Sequence, residues 1–386
     1  MGRKAGKNSI DSKHYNRGLV LQLIATGICR TRIEISRTTG LAKMTVSNII
    51  AEFIEKNILE ECEEQLTEVC GRNPIILKIS DKAPKIIGLL IFRGRIEAVL
   101  CDLKLQVLHR EKIQFETLDT EKLIEYSCEV IDRILEIEPE AAGIGIASIG
   151  PVDINEGEIL NAVRFYGIQN VPILDILKER YLIPVYFDHD NNSAALAEKL
   201  YGIGKGISDF IFLGISDGVG SGIVSKGEIY HSSCGLESEI GHVSINYKGP
   251  KCSCGNRGCL ETYASIFVMQ KKLQKVTGNK EDFAWYCHLE DNKEVEEIFE
   301  DTIYKISVAL VNSINILQPE LIVLGHDCVE WPQRYVQLLE DLVNQNKVAH
   351  DERKIAVRKA FFKKDAQLVG AAANVVTQIF QGKLIF

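Results

Sequence analysis

The sequence contains no run of apolar residues close to the roughly 20 that a membrane-spanning helix requires. Its first residues, MGRKAGKNSIDSKHYNRG, have no apolar segment behind their basic side chains, so they do not resemble a secretory signal. These two absences argue against a membrane protein, and we expect a cytoplasmic one. The 386 residues are 46% apolar and 25% charged, which is typical of a soluble globular protein with two or three domains.

Acidic residues are scarce at the start of the chain. Residues 1–56 contain ten Lys and Arg against four Asp and Glu, a net charge of +6. The rest of the chain contains 35 basic and 49 acidic residues, a net charge of −14. This asymmetry indicates that only the N-terminal part meets a polyanion.

The basic part has apolar residues at helical spacing in three blocks. The blocks are Leu19, Val20, Leu23 and Ile24; Ile33 and Ile35; and Val46, Ile49, Ile50, Phe53 and Ile54. Gly40 separates the second block from the third, where a helix-turn-helix motif has its turn. A polar stretch with a Gly-Arg-Asn-Pro turn and the strand-like run IILKIS follow, which predicts a wing whose tip, Arg72, reaches the minor groove.

The third predicted helix has four polar side chains on positions that its apolar stripe leaves free: Lys43, Thr45, Ser47 and Asn48. Such side chains bond to phosphates and base edges when the N-terminus of a helix enters the major groove. We therefore predict that residues 1–80 form a winged helix-turn-helix domain that binds operator DNA. A small helical bundle that only packs on its neighbour is the alternative.

From Lys85 onward the chain alternates between strand-like and helical segments. The runs IIGLLIF, RIEAVLCDL and LQVLHREKI predict an antiparallel meander, and a helix and the buried strand AGIGIAS follow. A similar order recurs in FIFLGIS, the glycine-rich turn DGVGSG, the strand GIVSKG, a long helix and LIVLG. Two lobes built on one plan would leave a cleft between them, where small ligands usually bind.

Three of the eleven cysteines, Cys252, Cys254 and Cys259, lie within eight residues. Zn²⁺ prefers four tetrahedral ligands of sulfur and nitrogen type, and His242 is the nearest histidine. One His and three Cys leave no ligand position for water, so we predict a structural zinc site. The other cysteines are expected to be free thiols in a reducing compartment: Cys29, Cys62, Cys70, Cys101, Cys128, Cys234, Cys287 and Cys328.

Carboxylates flank this cysteine loop. Glu239 precedes His242 in Glu-Ile-Gly-His, and Glu261 follows the last cysteine in Cys-Leu-Glu. Zinc bound to His242 would hold both carboxylates near one point and leave the second ring nitrogen free to donate a hydrogen bond. Such a group of polar atoms suits a polyhydroxylated ligand such as a sugar. Asp190, between the strand PVYFDHD and an alanine-rich helix, is either a simple N-cap or a general base or hydroxyl acceptor.

With these complete motifs, Glu-Ile-Gly-His and Cys-Ser-Cys-Gly-Asn-Arg-Gly-Cys-Leu-Glu, the chain resembles the ROK proteins (repressors, open reading frames and sugar kinases) over nearly its whole length. With its winged head it is similar to the xylose-repressor and N-acetylglucosamine-repressor branch. The resemblance implies an α/β fold in which the winged helix-turn-helix precedes a two-lobed, actin-like and ribonuclease-H-like sugar-kinase body over residues 81–386. Lobe 1 would take about residues 81–190 and the C-terminal helix about 367–386, and lobe 2 about 191–366.

The resemblance also implies where a sugar would bind. Asp190 falls on the aspartate that serves the kinases as base toward the sugar hydroxyl. His189 replaces an asparagine usual in the kinases, and Gly150 matches the glycine of the loop that passes under the sugar. The implied sugar contacts are His189, Asp190, Glu239, His242, Glu261 and Gly150.

The phosphate side departs from the family's kinases, which open the body with Asp-x-Gly-Gly-Thr-Lys. Here the matching stretch has Leu90 in place of the acid, and Phe92 and Arg93 in place of the glycines. Asp217 replaces a threonine in the second phosphate loop and would repel a phosphate, and His326 replaces a glycine common near the adenine. We therefore predict that the protein is not an enzyme and has no catalytic residue in use, although the family's base position is retained.

Together, these features predict a sugar-responsive transcriptional regulator that represses carbohydrate-utilisation genes, such as those of xylose metabolism. It would bind operator DNA as a homodimer or homotetramer, take a monosaccharide as effector and hold Zn²⁺ as a structural cofactor. Two alternatives stay open. One is an ATP-dependent sugar kinase with a DNA-binding head, and the other is a repressor whose body responds to a protein such as a sugar-transport component.

Overall fold

The computed structural model of the chain describes residues 9–63, 75–162, 164–348 and 353–384. It begins with three helices, α1 (Ser9–Ala25), α2 (Arg32–Thr39) and α3 (Lys43–Glu55). The predicted apolar positions Val20, Ile35, Val46 and Ile50 are fully buried between them. The basic part of the chain therefore forms a helical head with a buried apolar interior.

Helix α2 begins and ends at residues suited to helix termini. The Thr31 hydroxyl accepts a hydrogen bond from the backbone N–H of Glu34, and the Glu34 carboxylate accepts one from the backbone N–H of Thr31. At the other end Gly40 has a φ of 71°, in the left-handed region that glycine adopts most easily. The predicted turn of the helix-turn-helix motif is confirmed.

A hairpin follows the three helices. Strand β1 (Leu59–Glu63) pairs antiparallel with β2 (Ile75–Ile79), with Leu59 opposite Ile79 and Glu63 opposite Ile75. These are the two strands that the predicted wing requires. The predicted tip residue Arg72 and the thiol of Cys70 lie outside the described residues.

The first lobe is built on a five-stranded sheet in the order β5-β4-β3-β6-β9. Strands β3, β4 and β5 form the predicted antiparallel meander, whereas β6 and β9 run parallel to β3. The elements of this lobe are β3 (Ile86–Phe92), β4 (Arg95–Cys101), β5 (Val107–Gln114), α4 (Thr120–Ile137), β6 (Ile144–Ser148), β7 (Val152–Asp153), β8 (Glu158–Ile159), α5 (Ile173–Arg180) and β9 (Val185–His189).

The second lobe repeats this plan, with a sheet in the order β12-β11-β10-β13-β14 that is antiparallel on one side and parallel on the other. The repetition gives the two-lobed α/β body that the sequence predicts. The remaining elements are α6 (Asp190–Tyr201), β10 (Phe210–Ile215), β11 (Val219–Ser225), β12 (Glu228–Ile229), α7 (Glu261–Ala264), α8 (Ile266–Thr277), α9 (Phe283–Cys287), α10 (Lys293–Leu317), β13 (Leu321–His326), α11 (Gln333–Asn346), β14 (Ala356–Lys359) and α12 (Ala366–Phe380).

Helices α6 and α12 join the two lobes. Helix α12 packs on β3 and β6 of the first sheet, α6 packs on β10 and β11 of the second, and the two helices pack on each other. The Asn374 side-chain amide of α12 donates hydrogen bonds to the Ser193 hydroxyl of α6 (3.0 Å) and to the Ile146 carbonyl of β6 (3.2 Å). This helix pair is therefore one direct connection between the two lobes.

The head is docked on the C-terminal end of α12. Gly18 of α1 lies so close that a methyl group at this position would be 2.3 Å from the Phe380 carbonyl oxygen, so only glycine fits. Lys205 of the body also donates a hydrogen bond to the Thr26 carbonyl of the head (2.5 Å). Head and first lobe share one continuous apolar core, while the second lobe has a core of its own. No helix in the described part of the chain is both long and apolar enough to cross a bilayer.

Candidate functional site

The predicted DNA-contacting residues lie at the start of α3. Lys43, Thr45 and Asn48 are exposed and Ser47 is half-buried, while the apolar stripe of the same helix faces the core. Met44 lies on the same surface and is 71% exposed, although no sequence pattern singled it out. Apolar side chains in this position contact thymine methyl groups in the major groove.

A cleft lies between the lobes, at the carboxyl ends of β3 and β9 on one side and of β10 and β13 on the other. This edge of a parallel sheet is where ligands bind in open α/β folds. The cleft brings together all six residues predicted as sugar contacts: Gly150, His189, Asp190, Glu239, His242 and Glu261. Other polar side chains on its walls are Arg93, Asn191, Ser216, Glu237 and His326.

Asp190 is the first residue of α6 and only 2% exposed. Its carboxylate lies 3.1 Å from Nε2 of His189 and accepts a hydrogen bond from the Asn191 side-chain amide at 2.7 Å. Burial raises the pKa of Asp190, and the neighbouring His189 and Arg93 oppose that shift. The carboxylate thus faces the cleft among charged side chains, as a hydroxyl acceptor or a base would.

His189 is also buried. Burial lowers the pKa of its imidazole, but the carboxylates of Asp190, Glu237 and Glu239 have the larger combined effect, and the net direction is upward. A histidine that replaces the asparagine usual in the kinases therefore tends toward the charged form, which donates hydrogen bonds from both ring nitrogens.

The carboxylates on the opposite wall are held by backbone N–H groups. Glu261 accepts a hydrogen bond from the N–H of Val219 (3.1 Å), and Glu237 accepts one from the N–H of Val152 (3.2 Å). Burial, with Glu237 nearby, raises the pKa of Glu239 to about 7. Glu237 is absent from the predicted set of sugar contacts.

The predicted zinc ligands form a cluster. One ligand atom each from His242, Cys252, Cys254 and Cys259 lies within 4.8 Å of the other three, and no second such group occurs among the described residues. The Cys254 and Cys259 sulfurs are 3.7 Å apart, and the Cys252 sulfur is 3.5 Å from Nδ1 of His242. Tetrahedral zinc with Zn–S bonds of about 2.3 Å needs ligands about 3.5–3.8 Å apart. The donor set therefore fits a zinc ion.

His242 links this cluster to the cleft. Its Nδ1 faces the cysteine sulfurs, while its Nε2 lies 4.0 Å from the Glu239 carboxylate on the cleft side. A metal bound at Nδ1 would leave Nε2 protonated and available as a donor. The other cysteines of the described part of the chain are free thiols, and Cys234 is exposed.

The residues that depart from the kinase pattern meet each other in space. The ring of Phe92, at the end of β3, stacks on the ring of His326, at the end of β13, with centroids 5.3 Å apart. The Arg95 guanidinium lies 4.9 Å from the same Phe92 ring, and burial with this nearby charge lowers the pKa of His326 to about 3. Side chains from both lobes thus meet at positions where the sequence departs from the kinase pattern.

Comparison with known proteins agrees with this architecture. The model of the ROK family matches residues 86–378. The chain is 27% identical to the xylose repressor of Caldicellulosiruptor bescii over 387 residues, which covers 95% of this chain and 96% of the relative. It is 26% identical to the DNA-binding transcriptional repressor Mlc of Escherichia coli over 390 residues, which covers 97% of this chain and 95% of the relative.

Two solved structures share the fold. A ROK family transcriptional regulator described as a homolog of the E. coli MLC protein superposes with a TM-score of 0.82 at 23% identity, covering 97% of this chain and 98% of that one. The ROK hexokinase of Thermus thermophilus superposes with a TM-score of 0.63 at 26% identity, covering 75% of this chain and 98% of the hexokinase. The regulator matches head and body together, whereas the whole hexokinase matches three quarters of the chain.

Proposed function

The chain belongs to the ROK family, and from this premise we propose that it is a DNA-binding transcriptional repressor of carbohydrate-utilisation genes, with a monosaccharide as effector. One observation carries the proposal: a basic helix-turn-helix head is docked on a body whose cleft gathers carboxylates and imidazoles. One of its relatives is a xylose repressor, and the match covers 95% of the present chain, so xylose is the first sugar to test.

The cleft recognises a sugar through matched hydrogen bonds. The carboxylates of Asp190, Glu239 and Glu261 accept hydrogen bonds from sugar hydroxyls, and Nε2 of His242 donates one. Hydrogen bonds that involve a charged group contribute about 1.5–3 kcal/mol each, so a few of them account for selective binding of a small polar ligand.

Zinc is the proposed occupant of the cluster formed by His242, Cys252, Cys254 and Cys259. All four ligand positions come from the chain, which is the arrangement of a structural site. The ion fixes the ring of His242 and the start of α7, where Glu261 stands. Its proposed role is to hold two sugar contacts in place, and it takes no part in DNA binding.

We place no ATP chemistry in the cleft. The rings of Phe92 and His326 stack on each other, and Arg93 lies on the wall of the same cleft; in all three positions the kinase resemblance implies glycine. The competing function, an ATP-dependent sugar kinase, is favoured by the buried carboxylate of Asp190 at the family's base position. A coupled ADP-release assay with hexoses, pentoses and N-acetylated sugars separates the two, because turnover above background would establish the kinase.

The signal travels from the cleft to the head through two packed helices. Asp190 begins α6, α6 packs on α12, and the end of α12 carries α1 at Gly18. Closure of the lobes around a sugar shifts α12 and with it the head. In a homodimer or homotetramer this changes the distance between two recognition helices, and operator affinity changes if the two conformations bind the sugar with different strength.

Selection of binding sites from a random-sequence duplex library tests the DNA-binding part of the proposal, and it is expected to yield a preferred, two-fold related site. Calorimetry with monosaccharides and no other protein tests the effector. Heat of binding supports a free sugar as the signal. No binding by any sugar of the panel would favour a protein, such as a transport component, in its place.

A further inference from the structure

The Glu237 carboxylate has one oxygen satisfied by the protein and one left over. Oε2 accepts the hydrogen bond from the N–H of Val152, which belongs to the other lobe. Oε1 is buried, and no donor among the described residues reaches it. The neighbouring Glu239, whose pKa is raised to about 7, can donate a hydrogen to Glu237 only in its protonated form, so Oε1 has no donor once both carboxylates are ionised. Because buried acceptors are nearly always paired, this oxygen marks a place for a donor supplied by a ligand.

That oxygen points to the part of the cleft where a sugar is expected to lie. A methyl group on Gly150 would be 2.2 Å from Oε1 of Glu237 and 2.9 Å from Nε2 of His189. Gly150 belongs to the loop that the family resemblance places under the sugar. Glu237 therefore faces the same point as the predicted sugar contacts, from a position that the predicted set does not include.

Glu237 also changes the charge of the cleft. It brings the lining carboxylates to four: Asp190, Glu237, Glu239 and Glu261. Arg93 lies on the same walls, and its charge already interacts with Asp217, Asp190 and Glu261. An anionic group of a ligand would meet more like charges than opposite ones, at short range and partly shielded from water, where repulsion between like charges is strong.

We propose that Glu237 selects the effector: its Oε1 accepts a hydrogen bond from a hydroxyl of a monosaccharide without charged substituents, and its charge disfavours sugars that carry a phosphate or a carboxylate. This inference rests on the proposed sugar response and specifies the class of sugar. Glu237→Gln keeps the shape of the side chain and its bond to Val152 but removes the charge, whereas Glu237→Ala removes both. Glu156→Gln, an exposed acid in the same lobe as Val152, is the matched control.

Calorimetry on the full-length, zinc-loaded protein compares xylose, glucose and N-acetylglucosamine with glucose 6-phosphate, N-acetylglucosamine 6-phosphate and glucuronate. We expect the wild type to bind a neutral sugar at least about tenfold more tightly than its charged counterpart. Glu237→Ala should weaken neutral-sugar binding about tenfold or more. Glu237→Gln should reduce the preference for the neutral sugar over its charged counterpart by a similar factor, while the control matches the wild type.

Tighter binding of the phosphorylated sugars by the wild type would overturn the inference. So would unchanged affinity for the neutral sugar in both Glu237 variants. Either result leaves the sugar-responsive repressor standing, whereas a wild type that binds no sugar of either kind would overturn that proposal and this inference together. Selected-site DNA binding equal to that of the wild type shows that each variant is folded.

Discussion

Replacing Cys254 by serine is expected to weaken monosaccharide binding about 30- to 2,000-fold while operator binding persists. The sulfur of Cys254 lies 3.7 Å from that of Cys259, on the cluster that holds the ring of His242. Without a complete metal site, His242 and Glu261 lose their fixed positions. A hydrogen bond from a sugar hydroxyl to the charged Glu261 is worth about 1.5–3 kcal/mol and one from the His242 N–H about 0.5–1.5 kcal/mol, so losing both costs about 2–4.5 kcal/mol of binding free energy.

The matched control is Cys234→Ser, because Cys234 is an exposed free cysteine outside the cluster. Elemental analysis should give about one zinc per chain for the wild type and the control and clearly less for Cys254→Ser. Calorimetry gives the sugar affinity and a gel shift gives the operator affinity, which should persist because the head docks on α12 and Lys205. Full sugar affinity in a zinc-depleted Cys254→Ser variant would refute the proposal that zinc holds His242 and Glu261 in place. Loss of operator binding with an intact sugar response would refute it too.

Three further substitutions test other parts of the account. Gly18→Val forces α1 away from the end of α12, so calorimetry should show unchanged sugar binding while DNA binding in the gel shift no longer responds to sugar. The control Ser12→Ala, at an exposed position of the same helix, should behave as the wild type. A retained sugar response in Gly18→Val would exclude transmission of the signal through the contact between α12 and α1. Lys43→Ala should weaken binding to all duplexes and reduce the magnitude of the slope of log affinity against log salt by about one. The control Lys280→Ala, in the second lobe, should leave both unchanged. Equal slopes for Lys43→Ala and the wild type would show that Lys43 does not contact the DNA. Ile50→Ala, in the fully buried core of the head, should lower the free energy of unfolding by about 2–5 kcal/mol, and a change below about 1 kcal/mol in denaturant melts would contradict that packing.

The sequence predicts most reliably those features that depend on short-range spacing. The cysteine cluster and the turn at Gly40 each depend on residues close together along the chain. The alternation of strands and helices likewise predicts two similar lobes. The glycine-rich segment DGVGSG was expected as a turn, but β11 already begins at Val219, and Gly222 pairs within that strand because its backbone packs directly on α6.

Contacts between distant residues could not be predicted from the sequence. Phe92 and His326 were each recognised as departures from the kinase pattern, but their stacking joins residues on two different sheets. Glu237 was missed because its partner, the N–H of Val152, lies 85 residues away, and no local pattern distinguishes this glutamate from a solvated one. The contact between Gly18 and the backbone of Phe380 could not be predicted either, because a glycine within a helical pattern does not indicate which distant backbone packs against it.

Fluorescence anisotropy of the full-length protein on its selected operator duplex, with and without saturating monosaccharide, tests the central claim most directly. We expect that one neutral sugar changes the operator affinity, and that bound operator changes the affinity for that sugar by the same factor, because coupling between two binding sites is reciprocal. Equal operator affinity with and without every sugar of the panel, for a protein that calorimetry shows to be saturated with one of them, would contradict it.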